Sequence, residues 1–237
     1  MHNSITLKQE YRKQCVSNMV HIHIGKTSGT SFSKTLNDGF SGQVCSTPFI
    51  QNYMTYEEAL YYSQFSIVHG HISRSDQLKW FSDRHVITIL REPIDRGLSF
   101  LHYVRSLPYN AAEIAADAAH LSIFDLIETA EAQRNLNNTM VRQLGGHILD
   151  PVGSLDRLLE RAKATLKEAL WVGRQSHMAE DLSRLSLILG IPLDMNRANV
   201  TPNRPAHAAE DPNLIARLNE LNQYDMELWT WAQTEIF

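Results

Sequence analysis

Three short segments carry the residues with chemical promise. The first is Gly25-Lys26-Thr27-Ser28-Gly29-Thr30-Ser31. Where a strand feeds a helix, such a segment turns backbone N–H groups inward, and the helix N-terminus adds partial positive charge. Lys26 adds a full charge, Thr27, Thr30 and Ser31 add hydroxyl donors, and Gly29 allows close backbone approach or a positive φ. An anion is the natural occupant. The second segment is Leu90-Arg91-Glu92-Pro93-Ile94-Asp95-Arg96-Gly97-Leu98-Ser99, in which Arg91 offers a planar, permanently charged fork suited to phosphate. The third is His69-Gly70-His71, where an imidazole with an ordinary pKa of about 6.5 suits a general base. Each has a plainer reading as well. The loop is then a turn with no ligand, Arg91 pairs with Glu92 or Asp95, and the histidines only close a turn around Gly70.

The elements that must position these residues are written in the hydrophobic pattern. Val20, Ile22 and Ile24 alternate with Met19, His21 and His23, which predicts a strand over 19–24 and sheet-face histidines. Phe32, Thr35 and Leu36 then fall at helical spacing. Thr55-Tyr56-Glu57-Glu58 has the form of a capping box and opens a helix through Tyr62. Phe65 to Val68 reads as a short strand ending at His69. Val86-Ile87-Thr88-Ile89-Leu90 is apolar on both faces, as a central parallel strand must be. It ends at Arg91, and Pro93 suits the first position of a helix through about Val104. Further helices are predicted over 122–134, 155–169 and 178–189, with a long one after Asp211-Pro212, and a buried strand over 169–173. Tyr109 to His120 reads either as a short helix or as a flap. The alternation implies an α/β fold: one three-layer domain over 1–237, with a central parallel sheet flanked by helices and an N-terminal extension over 1–18.

Composition narrows the class. The chain has 237 residues, 43% hydrophobic and 20% charged, an ordinary globular balance. With 22 basic against 26 acidic side chains the net charge is −4, which excludes the broad positive footprint of a nucleic-acid binder. Cys15 and Cys45 are too few for a disulfide framework or a zinc site. No apolar h-region opens the sequence and no stretch reaches membrane-spanning length, so a cytoplasmic protein is expected.

The anion can be narrowed further. A Walker A loop needs a glycine separated by four residues from its Gly-Lys pair, and counting back from Gly25-Lys26 puts Val20 at that position, inside the predicted strand. What the residues do resemble is the carbohydrate 2-O/6-O type of sulfotransferase. Ile24-Gly25-Lys26-Thr27-Ser28-Gly29-Thr30-Ser31 resembles the Pro-Lys-Thr-Gly-Gly-Thr-Ser loop of that family. Ile89-Leu90-Arg91-Glu92-Pro93, with Arg96 and Ser99, resembles its second signature, Val68-His69-Gly70-His71 its His-Gly-His segment, and Asn137 to Leu144 a loosely kept Asn-x-x-Thr-Arg-x-Leu element. Gly25 stands where the family has Pro and Ser28 where it has Gly, and Arg142 falls three residues after Thr139.

The resemblance implies a P-loop-like fold and a donor, 3′-phosphoadenosine 5′-phosphosulfate (PAPS). It implies that Lys26, Thr27, Ser28, Gly29, Thr30 and Ser31 hold the 5′-phosphosulfate end, and Arg91 and Ser99 the 3′-phosphate. Arg204, in the late polar loop with Thr201 and Asn203, would close over the nucleotide. Lys26 would stabilise the leaving phosphate oxygen, and His71, or His69 in its place, would take the acceptor's proton. The acceptor is then a hydroxyl of a carbohydrate or small metabolite, with no metal required. A nucleotide-binding small-molecule kinase and a non-catalytic PAP/PAPS-binding module are the alternatives.

Overall fold

The computed structural model describes residues 18–47, 53–108, 113–149, 153–194 and 211–237. Cys15, most of the proposed N-terminal extension, Tyr109 and the loop bearing Thr201, Asn203 and Arg204 lie outside the described residues. In chain order the first elements are β1 (Met19–Ile22), α1 (Gly29–Phe40), β2 (Val44–Ser46), α2 (Tyr56–Tyr62), β3 (Ile67–Gly70), α3 (Arg74–Trp80) and β4 (His85–Leu90). A helical stretch follows: α4 (Pro93–Ser106), α5 (Glu113–His120), α6 (Ile123–Glu128), α7 (Ala130–Leu136), α8 (Thr139–Gly145) and α9 (Leu155–Glu168). The last elements are β5 (Trp171–Arg174), α10 (Met178–Leu189), α11 (Pro212–Leu221) and α12 (Gln223–Glu235).

The five strands form one parallel sheet in the order β2-β3-β1-β4-β5. This is the expected α/β class with helices on both faces. Side-chain parity divides the faces. Val20, Ile22, Val68, Val86 and Val172 pack with α2, α8, α9 and α12. Met19, Ile67, Ile87, Ile89 and Trp171 pack with Phe32 and Leu36 of α1 and with Leu182 and Leu185 of α10. A third cluster joins Leu98 and Leu101 of α4 to α5, α6, α7 and α11.

Local chemistry sets the element boundaries. Thr55 and Glu58 complete the predicted capping box, with Glu58 N–H on Thr55 Oγ1 at 3.2 Å and Thr55 N–H on Glu58 Oε2 at 2.8 Å. Pro93 opens α4, and Glu92 caps it by accepting from the N–H groups of Ile94 and Asp95 at 3.1 and 2.6 Å. Glu92 is therefore a cap, and the Arg91 partner is Asp95.

Several expectations need correction. β1 ends at Ile22, before the predicted Ile24, and β3 runs on through His69 and Gly70. The helix predicted over 122–134 is two, because Thr129 takes an extended conformation (ψ 147°) and its hydroxyl accepts from Ala132 N–H, ending α6 and starting α7. The single long C-terminal helix is likewise two, divided at Asn222 (φ −120°). β2, α3 and α8 were not anticipated; Glu113–His120 is helical, as the short-helix reading required.

Asn138 and Asp225 cap each other's helices. Asn138 Oδ1 accepts from Tyr224 and Asp225 N–H at 2.9 and 3.1 Å, while the Asp225 carboxylate accepts from Met140 and Val141 N–H at 3.0 and 2.8 Å. Both side chains are buried. Asp225→Ala leaves two buried donors unpaired and is expected to lower stability by about 2 kcal/mol or more, read as a lower urea midpoint with unchanged m-value.

Candidate functional site

The topology creates a crevice. From β1 the chain leaves toward β2 on one side of the sheet, and from β4 it leaves toward β5 on the other. Adjacent strands whose connections diverge open a cleft at their carboxyl ends, where ligands of open parallel sheets bind. β1 and β4 are such neighbours, paired from Met19–His85 to Ile22–Thr88. Lys26 follows the first and Arg91 the second.

The loop after β1 is a strained turn. Lys26 and Ser28 have φ of 69° and 71°, and Thr27 between them is not in that region. Left-handed residues alternating with ordinary ones turn successive N–H groups toward one concavity, a backbone nest for anions. The turn runs into α1, which has no side-chain cap at Ser28 and no acidic residue in its first turn. Its first N–H groups and its dipole therefore point into the same space. The Thr27 hydroxyl is buried and donates to Ile24 O at 2.8 Å, so it braces the turn from inside. Thr30 is exposed, and Ser31 is buried with its carbonyl accepting the Thr35 hydroxyl at 3.1 Å.

Gly29 serves close approach, as one of its two readings held, yet the group it admits is a side chain. A Cβ there would stand 1.9 Å from His23 Nε2. The positive φ falls instead on Lys26 and Ser28.

Arg91 joins the two segments. Its Nη1 donates to Lys26 O at 2.8 Å and its Nε to Asp95 Oδ2 at 2.7 Å. Arg91 stands just ahead of α4, and Asp95, Ser99 and Tyr103 follow at four-residue intervals along one side of the helix. Ser99 is buried, and the Tyr103 ring lies under the Lys26 ammonium, 3.8 Å from Nζ to the ring centre. Tyr103 was missed in the sequence, although its spacing from Ser99 was the available signal. Arg96 faces elsewhere. It is buried and donates to Asn135 O at 2.9 Å and Thr139 Oγ1 at 3.2 Å, which fixes the α7–α8 corner and pairs with neither Asp95 nor Glu92.

The histidines form a ladder. His21 pairs with His69 across β1 and β3, and strand periodicity brings His23 and His71 to the same face. The rings of His21 and His69, His23 and His69, and His23 and His71 lie 4.7, 5.1 and 4.4 Å apart. His71 is beside the loop: its Cε1 would be 3.7 Å from a Cβ at Gly25. Burial lowers all four pKa values. His69 and His71 fall to about 4, His69 further depressed by His71, and His71 partly restored by a hydrogen bond to the His23 backbone. His21 and His23 are held well below the usual range by burial and by the neighbouring histidines. His21 and His23 are thus linked to the site, which the alternating pattern alone did not disclose. Among the described residues no cluster of His, Cys, Asp or Glu is arranged to hold a metal ion.

Gln143 was also missed. Its Nε2 donates to His23 O and Ile72 O, both at 3.0 Å, tying α8 to the ends of β1 and β3. No spacing in the sequence signals it. Among the described residues no helix is long and apolar enough to cross a membrane.

No protein-family model and no curated protein matches the sequence. Among solved structures, a sulfotransferase from Alicyclobacillus acidocaldarius aligns at TM-score 0.43 and 15% identity, covering 90% of this chain and 98% of its own. Mouse sulfotransferase SULT7A1 complexed with PAP aligns at TM-score 0.42 and 16% identity, covering 94% of this chain and 89% of its own. Likeness at this level assigns no activity.

Two outcomes follow from the packing. Within a helix alanine ordinarily helps by about 0.5–1 kcal/mol relative to glycine. Gly29→Ala should instead destabilise by about 1–3 kcal/mol, because His23 occupies the space; thermal unfolding gives the sign. The depressed histidines set a pH dependence. Above about pH 6.5 they are neutral in both states; as pH falls toward 4 the unfolded chain takes up protons that the folded one resists, so stability declines through that window. Urea midpoints at pH 7.5, 5.5 and 4.5 should fall in that order, and a midpoint unchanged at 4.5 would contradict the buried ladder.

Proposed function

We propose that this protein is a sulfotransferase that moves the sulfuryl group of PAPS to a hydroxyl of a carbohydrate or small metabolite. The observation that carries the reading is the 2.8 Å hydrogen bond from Arg91 to the Lys26 carbonyl, which puts both resembling segments on one crevice. The residues fit a donor with phosphate at each end. The nest at Lys26–Ser28 and the uncapped start of α1 suit the 5′ end. Arg91, just ahead of α4, and Ser99 on α4 suit the 3′-phosphate, and two of the five Arg91 N–H donors orient the guanidinium through Lys26 O and Asp95.

In this reading the acceptor oxygen bonds to sulfur as the bond from sulfur to the 5′-phosphate oxygen breaks. Lys26 stabilises the charge growing on that oxygen, and preorganised charge of this kind is often the largest catalytic contribution. His71 takes the acceptor's proton. Its pKa of about 4 is lower than the expected value near neutrality, because the ring is buried. It is neutral at pH 7 and able to accept, and an anionic donor beside the loop raises it by favouring the imidazolium. His69 is the other candidate base. Arg204 belongs to this proposal only through the resemblance. The acceptor is a small molecule or a single sugar rather than a polymer with many anionic groups, consistent with the net charge of −4.

Calorimetry with adenosine 3′,5′-bisphosphate and a labelled-PAPS screen over hydroxyl acceptors test the proposal. Lys26→Ala and Arg91→Ala should each weaken nucleotide binding by about tenfold or more, as expected for a lost charge-assisted contact. His71→Ala should keep the affinity and lower turnover by about 10²–10⁴-fold. Unchanged affinity in both of the first two variants removes the donor assignment, and magnesium-dependent ATP turnover would replace it with the kinase reading.

A further inference from the structure

His21 and His69 meet through like atoms. Their Nδ1 nitrogens are 2.6 Å apart, both rings are buried, and each ring at neutral pH carries a single proton. Two lone pairs at that distance repel and two N–H groups collide, so one Nδ1 donates and the other accepts. Which one donates fixes both tautomers, since a neutral imidazole with its proton on one nitrogen has a bare lone pair on the other.

The two arrangements leave different debts at His21. If His69 donates, the His21 proton sits on Nε2. That atom is buried and has no hydrogen-bond partner among the described residues. Phe32, edge-to-face at 4.8 Å, offers only a π face, a second-order acceptor. If His21 donates, Nε2 holds a lone pair instead. Buried N–H groups without a partner are rarer than under-satisfied acceptors, which favours the second arrangement.

His71 has the opposite arrangement. Its ring bonds to the His23 backbone in a way that favours the charged imidazole, as donation to a carbonyl does. The His23 N–H is not the partner, because it donates to Gly70 O at 2.8 Å. His71 thus anchors one N–H on the His23 carbonyl, away from the His21–His69 pair.

We infer that His21 is a positioning residue: its Nδ1–H holds His69 as the Nε2–H tautomer and occupies the basic nitrogen of that ring, which takes His69 out of the role of proton acceptor. His69 presents a hydrogen-bond donor to whatever lies against its Nε2. This deepens the sulfotransferase reading by choosing between its two candidate bases, and the tautomers themselves do not depend on which donor binds.

Nitrogen-15 spectra of the ring-labelled, full-length protein at pH 7.5 test it directly. The expected pattern is His21 protonated on Nδ1 and His69 on Nε2. A His69 resonance pattern with the proton on Nδ1, or averaged between the two nitrogens, overturns the inference. In His21→Asn the carboxamide N–H takes the place of Nδ1–H and His69 should stay an Nε2–H tautomer; in His21→Phe the lock is gone and His69 should show Nδ1–H or averaging. His69 unchanged in His21→Phe means that something other than His21 sets it, which also overturns the inference. Should the phenylalanine variant fail to fold, wild type and the asparagine variant still decide. Labelled-PAPS transfer by the wild type is the separate test of the donor, so a failed donor and a failed tautomer assignment remain distinguishable.

Discussion

The hydrogen bond from Arg91 to the Lys26 carbonyl is the constraint on which the rest of the site depends. It links the ends of two adjacent strands whose chains then diverge to opposite sides of the sheet. A left-handed conformation at a residue with a side chain costs about 1–2 kcal/mol, and the loop holds it twice, at Lys26 and Ser28. Three further bonds brace that conformation. Ile24 O takes the Thr27 hydroxyl, His23 O takes the Gln143 amide, and Ser28 O takes the first intrahelical N–H of α1, from Phe32. With carbonyls occupied by protein donors, the N–H groups of the turn face the other way. That division is what makes the loop suited to an anion.

Charge in the crevice is divided in the same fashion. Lys26 and Arg91 bring permanent positive charge, while desolvation keeps the four histidines beside them neutral. The proximity of Lys26 is itself one of the causes that keeps His23 neutral. A strand face that would ordinarily carry Val or Ile is here given to rings able to hold protons, and Gly29 is what makes room for His23 beneath α1. The arrangement spends core space on polar rings because those rings continue directly into the loop.

Elements with a strong local signal were legible in the sequence. The Val86–Leu90 strand, the Thr55 capping box, the Pro93 helix start and the strand–loop–helix around Lys26 all rest on period, caps or punctuation within a few residues. What escaped depends on distant partners. β2 is a three-residue edge strand, too short to show a period. The breaks at Thr129 and Asn222 are made by single extended or off-helix residues inside otherwise helical sequence, and Asn222 divides α11 from α12 where Asn138 caps the second helix from 86 residues away. The pairing of Arg91 with Lys26 lies 65 residues apart and has no sequence pattern of its own. Likewise His21 and His23 look like ordinary sheet-face residues until the register of β1 against β3 sets them beside His69 and His71.

The C-terminal helices belong to the same mechanical unit as the loop. Asp225 of α12 holds the N-terminus of α8 through the N–H groups of Met140 and Val141, and α8 in turn presents Gln143 to the carbonyls of His23 and Ile72. His23 is two residues before Gly25, and Ile72 is one residue after His71. A buried carboxylate near the end of the chain therefore reaches the phosphate loop and the candidate base through one short helix and one amide. Burial pushes the Asp225 carboxyl up, and Arg96 opposes that rise, so the buried Arg96 of α4 acts on the same corner from the other signature. Arg96 thus does for the scaffold what Arg91 does for the loop: Arg91, just ahead of α4, turns toward the crevice, and Arg96, in the first turn of α4, toward the corner that supports it.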